Sequence, residues 1–323
     1  MRILVTGAHG LLGQKIAIIA AQESDHEILL TDKDRDTFFK NPRFDYQQLD
    51  ITERGDVRSL VKNYAPDAII NTAAITNVDA CETEKELSWR VNVDGLKNLI
   101  FPAKKLGTCH VVQISSDYVF DGRSKAAYTE TDRPNPISYY GKTKLAAENA
   151  LKASGVSGAA LRTQVLYGTG YNVRPNFVTW VLSMLEKGGP FNVVTDQIGN
   201  PTFVDDLAFG CLRIAEAKAN GIYHVSGSES VSRYEFARAI ADEYGFDPES
   251  IGTTTSEEIG QAANRPLNSS FSTLKFESEF RYKPANVQQG LARLYQQYRE
   301  GSKHLKVLFK HISQIEESGS DNA

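Results

Sequence analysis

Short hydrophobic runs alternate with longer amphipathic segments through the first half of the chain. The runs RILVTG, EILLTD, FDYQQLDI, PDAIINTAA, HVVQISS and SGAALRTQVLYG predict six β-strands. Helical periodicity fills the segments between strands, and the longest predicted helix covers residues 84–107. Apolar strands separated by helices are typical of a parallel sheet covered on both faces. Right-handed crossovers between such strands give a doubly wound α/β fold.

The regular alternation ends after Gly168. Segments such as NFVTWVLSMLEKGG and SRYEFARAIADEYG predict helices, and GIYHVSG predicts one more buried strand. We therefore expect residues 1–168, with about 202–228, to form a larger domain. A smaller, mostly helical domain is expected from about 169–201 and 229–300, and the tail 301–323 is expected to be frayed or disordered.

Composition and charge exclude several classes of protein. The chain has 323 residues, of which 41% are hydrophobic and 24% are charged, as is usual for a globular protein. The formal net charge of −4 predicts neither a nucleic acid nor an anionic membrane as partner, and leaves an anionic small molecule open. No apolar run is long enough to predict a membrane span, and MRILVTG reads as a strand rather than a signal peptide. Cys81, Cys109 and Cys211 form no CxxC pair, so we expect a cytoplasmic protein without a metal site.

A glycine-rich turn lies between the first predicted strand and the first predicted helix. VTGAHGLLG contains Gly7, Gly10 and Gly13. Glycines allow a sharp turn and the close approach of a pyrophosphate, which then meets the free N–H groups at the helix start. This position at the beginning of a βαβ unit predicts a dinucleotide-binding site, and thus a dinucleotide-binding function for the larger domain.

The choice between two dinucleotides stays open at this level. Asp32 ends the second strand, where a carboxylate can accept hydrogen bonds from the adenosine ribose hydroxyls and favours NADH. Lys33 and Arg35 follow at once and could hold the 2′-phosphate of NADPH. We therefore expect NADPH or NADH as the cofactor.

The hexapeptide YYGKTK begins a helix after the fifth strand and offers two tyrosine–lysine pairs. Tyr140 and Lys144 are four residues apart, whereas Tyr139 and Lys142 are three apart, so either pair could share one helix face. Ser138 is a plausible N-cap residue for this helix. The hexapeptide by itself does not choose between the pairs.

These motifs resemble those of the extended short-chain dehydrogenase/reductase superfamily, which has GxxGxxG spacing and a YxxxK signature. Tyr140 is the only tyrosine of the sequence with a lysine four residues later. The chain is most similar to the dTDP-4-dehydrorhamnose reductase family, through ILVTGAHGLLG, PDAIINTAAITNVDACE, ISSDYVFDG, YYGKTKLAAE, LRTQVLYG, TDQIGNPT and NRPLNSSFSTLKF. The β subunit of methionine adenosyltransferase, a regulatory partner that binds a dinucleotide, belongs to the same group.

The resemblance implies a role for each matching position. It implies Ser116, Tyr140 and Lys144 as catalytic residues, with Asp117 beside them in the substrate pocket. Besides Asp32 and Lys33, predicted above from the end of the second strand, the implied cofactor contacts are Gly7, Ala8, His9, Gly10, Leu11, Leu12, Gly13, Asp50, Ile51, Ala73, Ala74, Thr76, Tyr140 and Lys144. Ketone reduction needs a proton donor near the carbonyl oxygen, and a nearby lysine is expected to lower the pKa of the tyrosine toward the working range.

Other positions concern the substrate. Family members that act on dTDP-sugars commonly have Trp in a stretch RTSWVYG, where this chain has RTQVLYG with Val165. Arg265 could clamp a substrate phosphate or be an exposed loop residue. Asn92 could belong to the site or form a hydrogen bond in helix packing, while Tyr118 could line the pocket or the core.

Three functions remain after these arguments. The first is an NAD(P)H-dependent reductase of a nucleotide-linked 4-keto-6-deoxy sugar, supported by the complete Ser116, Tyr140 and Lys144 set. The second is a sugar-nucleotide epimerase or dehydratase of the same superfamily. The third is a dinucleotide-binding regulatory subunit. A nucleotide-sugar substrate is the expected partner of the reductase, and a homodimer is a further expectation.

Overall fold

The computed structural model describes residues 1–41 and 43–299, apart from the side chain of Arg299. The predicted tail 301–323 lies outside these residues. The strands are β1 Arg2–Thr6, β2 Glu27–Asp32, β3 Phe44–Gln48, β4 Ala68–Asn71, β5 His110–Ser116, β6 Gly158–Thr163, β7 Leu166–Tyr167, β8 Phe191–Val194, β9 Ile198–Gly199, β10 Thr202–Phe203, β11 Gly221–His224, β12 Val231–Ser232 and β13 Ile251–Thr254.

The helices confirm the predicted alternation in the first half. They are α1 Leu11–Glu23, α2 Arg54–Tyr64, α3 Val78–Thr83, α4 Lys85–Trp89, α5 Gly95–Leu106, α6 Tyr139–Ser154, α7 Phe177–Lys187, α8 Val204–Ala217, α9 Arg233–Tyr244, α10 Ser256–Ile259, α11 Leu274–Phe280 and α12 Val287–Arg299. A π-helical turn over Arg90–Asp94 joins α4 to α5, so the long helix predicted for residues 84–107 is one helical run with a widened turn. No helix in the described ranges is long and apolar enough to cross a membrane.

The central sheet has seven strands in the order β11-β6-β5-β4-β1-β2-β3. Every neighbouring pair is parallel, which confirms the doubly wound α/β class. The strand order reverses between β1 and β4. Strands β2 and β3 add on one side of β1, and β4, β5, β6 and β11 add on the other side. Ligands bind at such a reversal point in open α/β sheets.

The alternation along β1 explains how both faces of the sheet are covered. Ile3 and Val5 pack with α1 and α8 in one apolar cluster, whereas Leu4 packs with α2 and α5 in another. All three side chains are fully buried. Successive residues of a strand point to opposite faces, so an unbroken apolar run is what a sheet covered on both faces requires.

The second half contains short strands that the sequence pattern did not predict. β8 pairs with β13 in parallel, β9 with β12 antiparallel, and β7 with β10 in parallel. The predicted sixth strand also breaks in two after Thr163, because Val165 has a φ of 44° and turns the chain away from the sheet. A third apolar cluster joins α7, α9 and α12. The division of the chain into two domains stays a prediction.

Candidate active site

The glycine turn lies at the reversal point of the sheet. Gly7 follows β1 with a φ of 71°, a left-handed backbone conformation that favours glycine. A Cβ atom on Gly7 would lie 2.6 Å from the backbone nitrogen of Ala73, which follows β4. A Cβ atom on Gly13 would lie 2.5 Å from the carbonyl oxygen of Gly7. Side chains at these two positions would therefore force the turn away from α1 and from the β4 loop.

The beginning of α1 is open to an anion. Gly10 is the N-cap residue, and no described side chain caps the helix. The N–H groups of the first turn and the positive end of the helix dipole therefore stay available for a negatively charged group. The residues predicted to hold the pyrophosphate, Gly7–Gly13, all lie in this turn or at the helix start. The cradle thus fits the pyrophosphate of a dinucleotide.

Asp32 holds the glycine turn against β2. Its Oδ2 atom accepts the backbone N–H of His9 at 3.0 Å, and its Oδ1 atom accepts that of Lys33 at 2.8 Å. The His9 ring stacks on Tyr46 with 5.3 Å between ring centroids. His9, Asp32 and exposed Asp34 could each offer an atom to a metal ion within 4.8 Å of one another, but Asp32 already accepts two backbone N–H groups. These bonds give Asp32 a structural role in holding the turn.

The loop after β4 is fixed by Asn92, which lies in the π-helical turn. Its Oδ1 atom accepts the N–H of Ile75 at 2.8 Å, and its Nδ2 group donates to Ile75 O and Thr143 Oγ1, both at 3.0 Å. These three bonds tie the predicted cofactor-lining segment 73–76 to α6. Asn92 is thus a positioning residue, which resolves the alternatives left by the sequence. The widened turn lets its side chain reach both segments.

The other predicted cofactor positions lie at neighbouring strand ends. Asp50 and Ile51 follow β3; Asp50 is exposed, whereas Ile51 is buried and packs against Gly95. Ala73 and Ala74 are half-buried, and Thr76 is exposed. These positions share the carboxyl edge of the sheet with the glycine turn. Their contacts with a cofactor stay a prediction.

Ser116, Tyr140 and Lys144 come together beside this edge. Ser116 ends β5, and Tyr140 and Lys144 lie one turn apart on α6, which begins with Ser138 as a true N-cap. The Lys144 Nζ atom is 5.6 Å from the centre of the Tyr140 ring and donates to Ile114 O at 3.2 Å. All three side chains of the set are buried. Tyr139, from the rival pair, instead faces Lys85, whose Nζ atom is 5.6 Å from its ring centre.

Burial dominates the protonation of this set. It raises the pKa of Tyr140, and the Asp117 charge raises it further, while the Ser116 hydroxyl acts in the opposite direction. Burial also lowers the pKa of Lys144 to about 8, against the smaller opposing effects of Cys81 and Glu148. Burial therefore outweighs the expected effect of the lysine, and the pKa of Tyr140 is raised and not lowered. A neutral phenol costs less to bury than a phenolate.

Asp117 is a buried carboxylate next to the set. Its two oxygens accept the hydroxyl groups of Ser116 at 2.8 Å and Ser269 at 2.7 Å. Burial raises its pKa, whereas both serines and the positive charge of Arg233 act to lower it. Ser116 must therefore release Asp117 before its hydroxyl can donate to another acceptor. Asp117 thus fixes the orientation of the Ser116 hydroxyl.

The predicted substrate residues Arg265 and Val165 lie in the part of the chain after β6. Arg265 donates from Nη1 and Nη2 to the two carboxylate oxygens of Asp79, at 3.1 and 2.8 Å. It is half-buried, and its pKa shift includes an effect of Tyr118, so it is not an exposed loop residue. The Tyr118 ring contacts Tyr140 edge to face at 5.5 Å. Val165 contributes a small half-buried side chain in place of an aromatic one.

Sequence reasoning missed Arg233, the first residue of α9. Its positive charge acts on both Asp117 and Tyr118. It follows Ser232 in a capping box, so the local sequence predicts a helix start and gives no sign of a pocket. The pairing of β12 with β9 and the bond from the Arg233 N–H to Gln197 O bring this residue near Asp117 and Tyr118.

The fold and site define a dinucleotide-binding α/β protein with a serine, a tyrosine and a lysine beside its cofactor crevice. The model of the RmlD substrate binding domain family matches residues 1–300, and the chain belongs to this family.

Three relatives describe the range of this family. The dTDP-4-dehydrorhamnose reductase of Aggregatibacter actinomycetemcomitans is 33% identical over 90% of this chain and 97% of its own length. Methionine adenosyltransferase 2 subunit beta of Xenopus tropicalis is 34% identical over 85% of this chain and 81% of its own. A dTDP-4-dehydrorhamnose reductase from Bacillus anthracis, solved in complex with NADP, is 31% identical with a TM-score of 0.81, covering 92% of this chain and 99% of its own.

Proposed function

We propose that this protein is an NAD(P)H-dependent reductase of a nucleotide-linked 4-keto-6-deoxy sugar. The observation that carries the proposal is the convergence of Ser116, Tyr140 and Lys144 at the carboxyl edge of the sheet, next to the glycine turn. Relatives named dTDP-4-dehydrorhamnose reductase cover nearly the whole chain and support the same reaction.

Each residue of the set has a distinct task in ketone reduction. The bound nicotinamide dinucleotide supplies the hydride. Tyr140 is buried with a raised pKa, so its phenol keeps a proton at neutral pH and gives it to the carbonyl oxygen as negative charge develops there. Ser116 donates its hydroxyl hydrogen to the same oxygen after it leaves Asp117. Lys144, with a pKa of about 8, is mostly protonated at neutral pH and stabilises the tyrosinate left behind.

The residues near Tyr140 could bind a nucleotide-linked sugar, but Val165 offers no aromatic ring for stacking. Tyr118 contacts the Tyr140 ring edge to face, the Asp117 charge acts on Tyr140, and Arg265 interacts with Tyr118. Arg265 is a fork-shaped donor suited to a phosphate, provided that Asp79 gives it up. The missing platform removes stacking area, so a dTDP-sugar is expected to bind more weakly here than in relatives that have the tryptophan.

The experiment follows the absorbance of NADH and of NADPH while the protein is offered dTDP-4-dehydrorhamnose. We expect cofactor oxidation that depends on the sugar nucleotide. Tyr140→Phe should keep cofactor binding, measured by fluorescence titration, and lose at least about 100-fold in kcat. Tyr139→Phe is the matched control and should keep turnover. Equal turnover in the Tyr140→Phe variant would contradict the proposal.

A second candidate is a regulatory subunit that binds a dinucleotide, favoured by the similarity to methionine adenosyltransferase 2 subunit beta. It predicts no turnover with any keto-sugar and a changed rate of a partner enzyme. Tyr140→Phe should leave that change of rate intact. An epimerase or dehydratase would instead purify with tightly held NAD⁺ that is reduced and reoxidised within one turnover.

A further inference from the structure

Two arginines near Tyr118 differ in their pairing. Arg265 is paired, because its Nη1 and Nη2 atoms donate to Asp79 and its Nη1 atom also donates to Ala263 O at 3.1 Å. Within residues 1–41 and 43–299, the Arg233 guanidinium donates no hydrogen bond and forms no ion pair. A half-buried cation without a partner is costly, so this group has donors to offer to a ligand.

Backbone contacts place Arg233 on the same wall as Asp117. The Arg233 N–H donates to Gln197 O at 3.0 Å, and its neighbour Ser232 pairs with Ile198. The Ile198 carbonyl oxygen accepts the N–H of Ser269 at 3.0 Å, and the Ser269 hydroxyl reaches Asp117 at 2.7 Å. The start of α9 is thus two backbone contacts away from the buried carboxylate beside the catalytic set.

An aromatic ring supports the Arg233 side chain. The guanidinium carbon is 5.7 Å from the centre of the Phe177 ring, which itself stacks on Phe236. Val165 packs against the same apolar cluster as Phe177. A guanidinium group resting on a ring keeps its edge free for hydrogen bonds, because cation–π contact uses only its face.

Arg233 is not bound to Asp117 as its counter-ion. Both carboxylate oxygens of Asp117 already accept serine hydroxyl groups, and neither receives a bond from the guanidinium. Burial lowers the pKa of Arg233 and the nearby charge of Arg265 lowers it further, whereas Tyr118 and Asp117 raise it. Two like charges on one pocket wall favour an anionic ligand that can bind both.

We propose that Arg233 binds the diphosphate of the sugar nucleotide, together with Arg265 once the ligand displaces Asp79. The identity of the ligand rests on the proposed function, whereas the anion site rests on the two arginines. Arg233 would then supply polar contacts where Val165 supplies no platform for stacking. The pocket would select a diphosphate over an uncharged group at this position.

The test measures binding of dTDP and of thymidine to the full-length protein by isothermal titration calorimetry. Arg233→Met should weaken dTDP binding about 10- to 100-fold, the usual effect of losing a charge-assisted contact to phosphate, and leave thymidine affinity unchanged. Arg233→Lys should keep part of the dTDP affinity. Arg238→Met is the matched control, because Arg238 lies on the same helix and pairs with Glu249 instead.

The outcomes separate this inference from the proposed function. Unchanged dTDP affinity in Arg233→Met, an equal loss for thymidine, or no dTDP binding by the wild type would overturn the inference. A protein that binds dTDP through Arg233 but reduces no keto-sugar would support the inference and contradict the reductase. If Arg233→Met does not fold, Arg233→Gln gives the same comparison with a polar side chain.

Discussion

The substitution Glu148→Gln tests what fixes α6, the helix of Tyr140 and Lys144, to the sheet. Arg162 of β6 donates from Nε to Oε1 of Glu148 at 2.9 Å and from Nη2 to Oε2 at 2.7 Å. Ser115 of β5 adds a bond to Oε1 at 2.5 Å. The two charged side chains are only 4% and 1% exposed, and Glu148 lies one turn after Lys144 on α6. This pair thus seats α6 on both neighbouring strands.

The expected cost follows from the burial of the pair. Removing one partner of a buried ion pair costs about 3–5 kcal/mol, because the other charge stays uncompensated. Phe120, 4.9 Å from the guanidinium carbon, and His224, 3.5 Å from Nη1, cannot replace the carboxylate. Burial lowers the pKa of His224 to about 3, so the ring is neutral. Glutamine keeps the size and one oxygen of Glu148, so we expect a loss of about 3 kcal/mol in the free energy of unfolding.

Urea unfolding at neutral pH measures this loss. Asp94→Asn is the matched control, because the Asp94–Lys97 pair is about half exposed on both sides and should contribute less than about 1 kcal/mol. The double substitution Glu148→Met and Arg162→Met removes both charges and should recover much of the stability. A loss below about 1 kcal/mol for Glu148→Gln, or a double variant less stable than the single one, would refute the reasoning.

Two further predictions concern the cofactor and the pH profile. Asp32→Asn keeps an oxygen that can accept the His9 N–H. It also removes one negative charge from the group Asp32, Asp34 and Asp36; burial is the main cause of the raised pKa of Tyr46, and these three charges raise it further. The kcat/KM for NADPH divided by that for NADH should therefore rise about tenfold. An unchanged ratio would mean that the Asp32 charge does not act on the 2′-phosphate of NADPH. Because the pKa of Lys144 is lowered to about 8, kcat/KM should be level below that pH and fall above it as the ammonium group loses its proton. A profile that is flat to pH of about 10 would contradict a charged Lys144.

The sequence predicted the features that depend on local pattern. In the unbroken apolar run of β1, the side chains of Ile3, Leu4 and Val5 point to both faces of the sheet and are all buried. Such a run is typical of a parallel sheet that is covered on both faces. The glycine turn and the Ser138 cap are also local, because each depends on the backbone of a few successive residues. Hence the class of fold and the position of Tyr140 and Lys144 followed from the sequence and the family resemblance.

Features that depend on long-range pairing escaped the sequence. Arg233 joins the pocket through β9 and β12, two strands of two residues each that have no periodicity to detect. Asp79 meets Arg265 across 186 positions of the chain. The pKa of Tyr140 was also predicted in the wrong direction, because a sequence shows which charge is nearby and does not show how deeply the phenol is buried.

The raised pKa of Tyr140 bears on the protonation state in which the proposed reaction begins. An epimerase or dehydratase that begins by oxidising a sugar hydroxyl needs a tyrosinate to take the first proton. Burial and the Asp117 charge disfavour that tyrosinate here. A reductase begins with the neutral phenol, and its proton goes to an alkoxide-like oxygen, which is a stronger base than a phenolate. The environment of Tyr140 therefore stabilises the protonated phenol, which is the form that the proposed ketone reduction consumes.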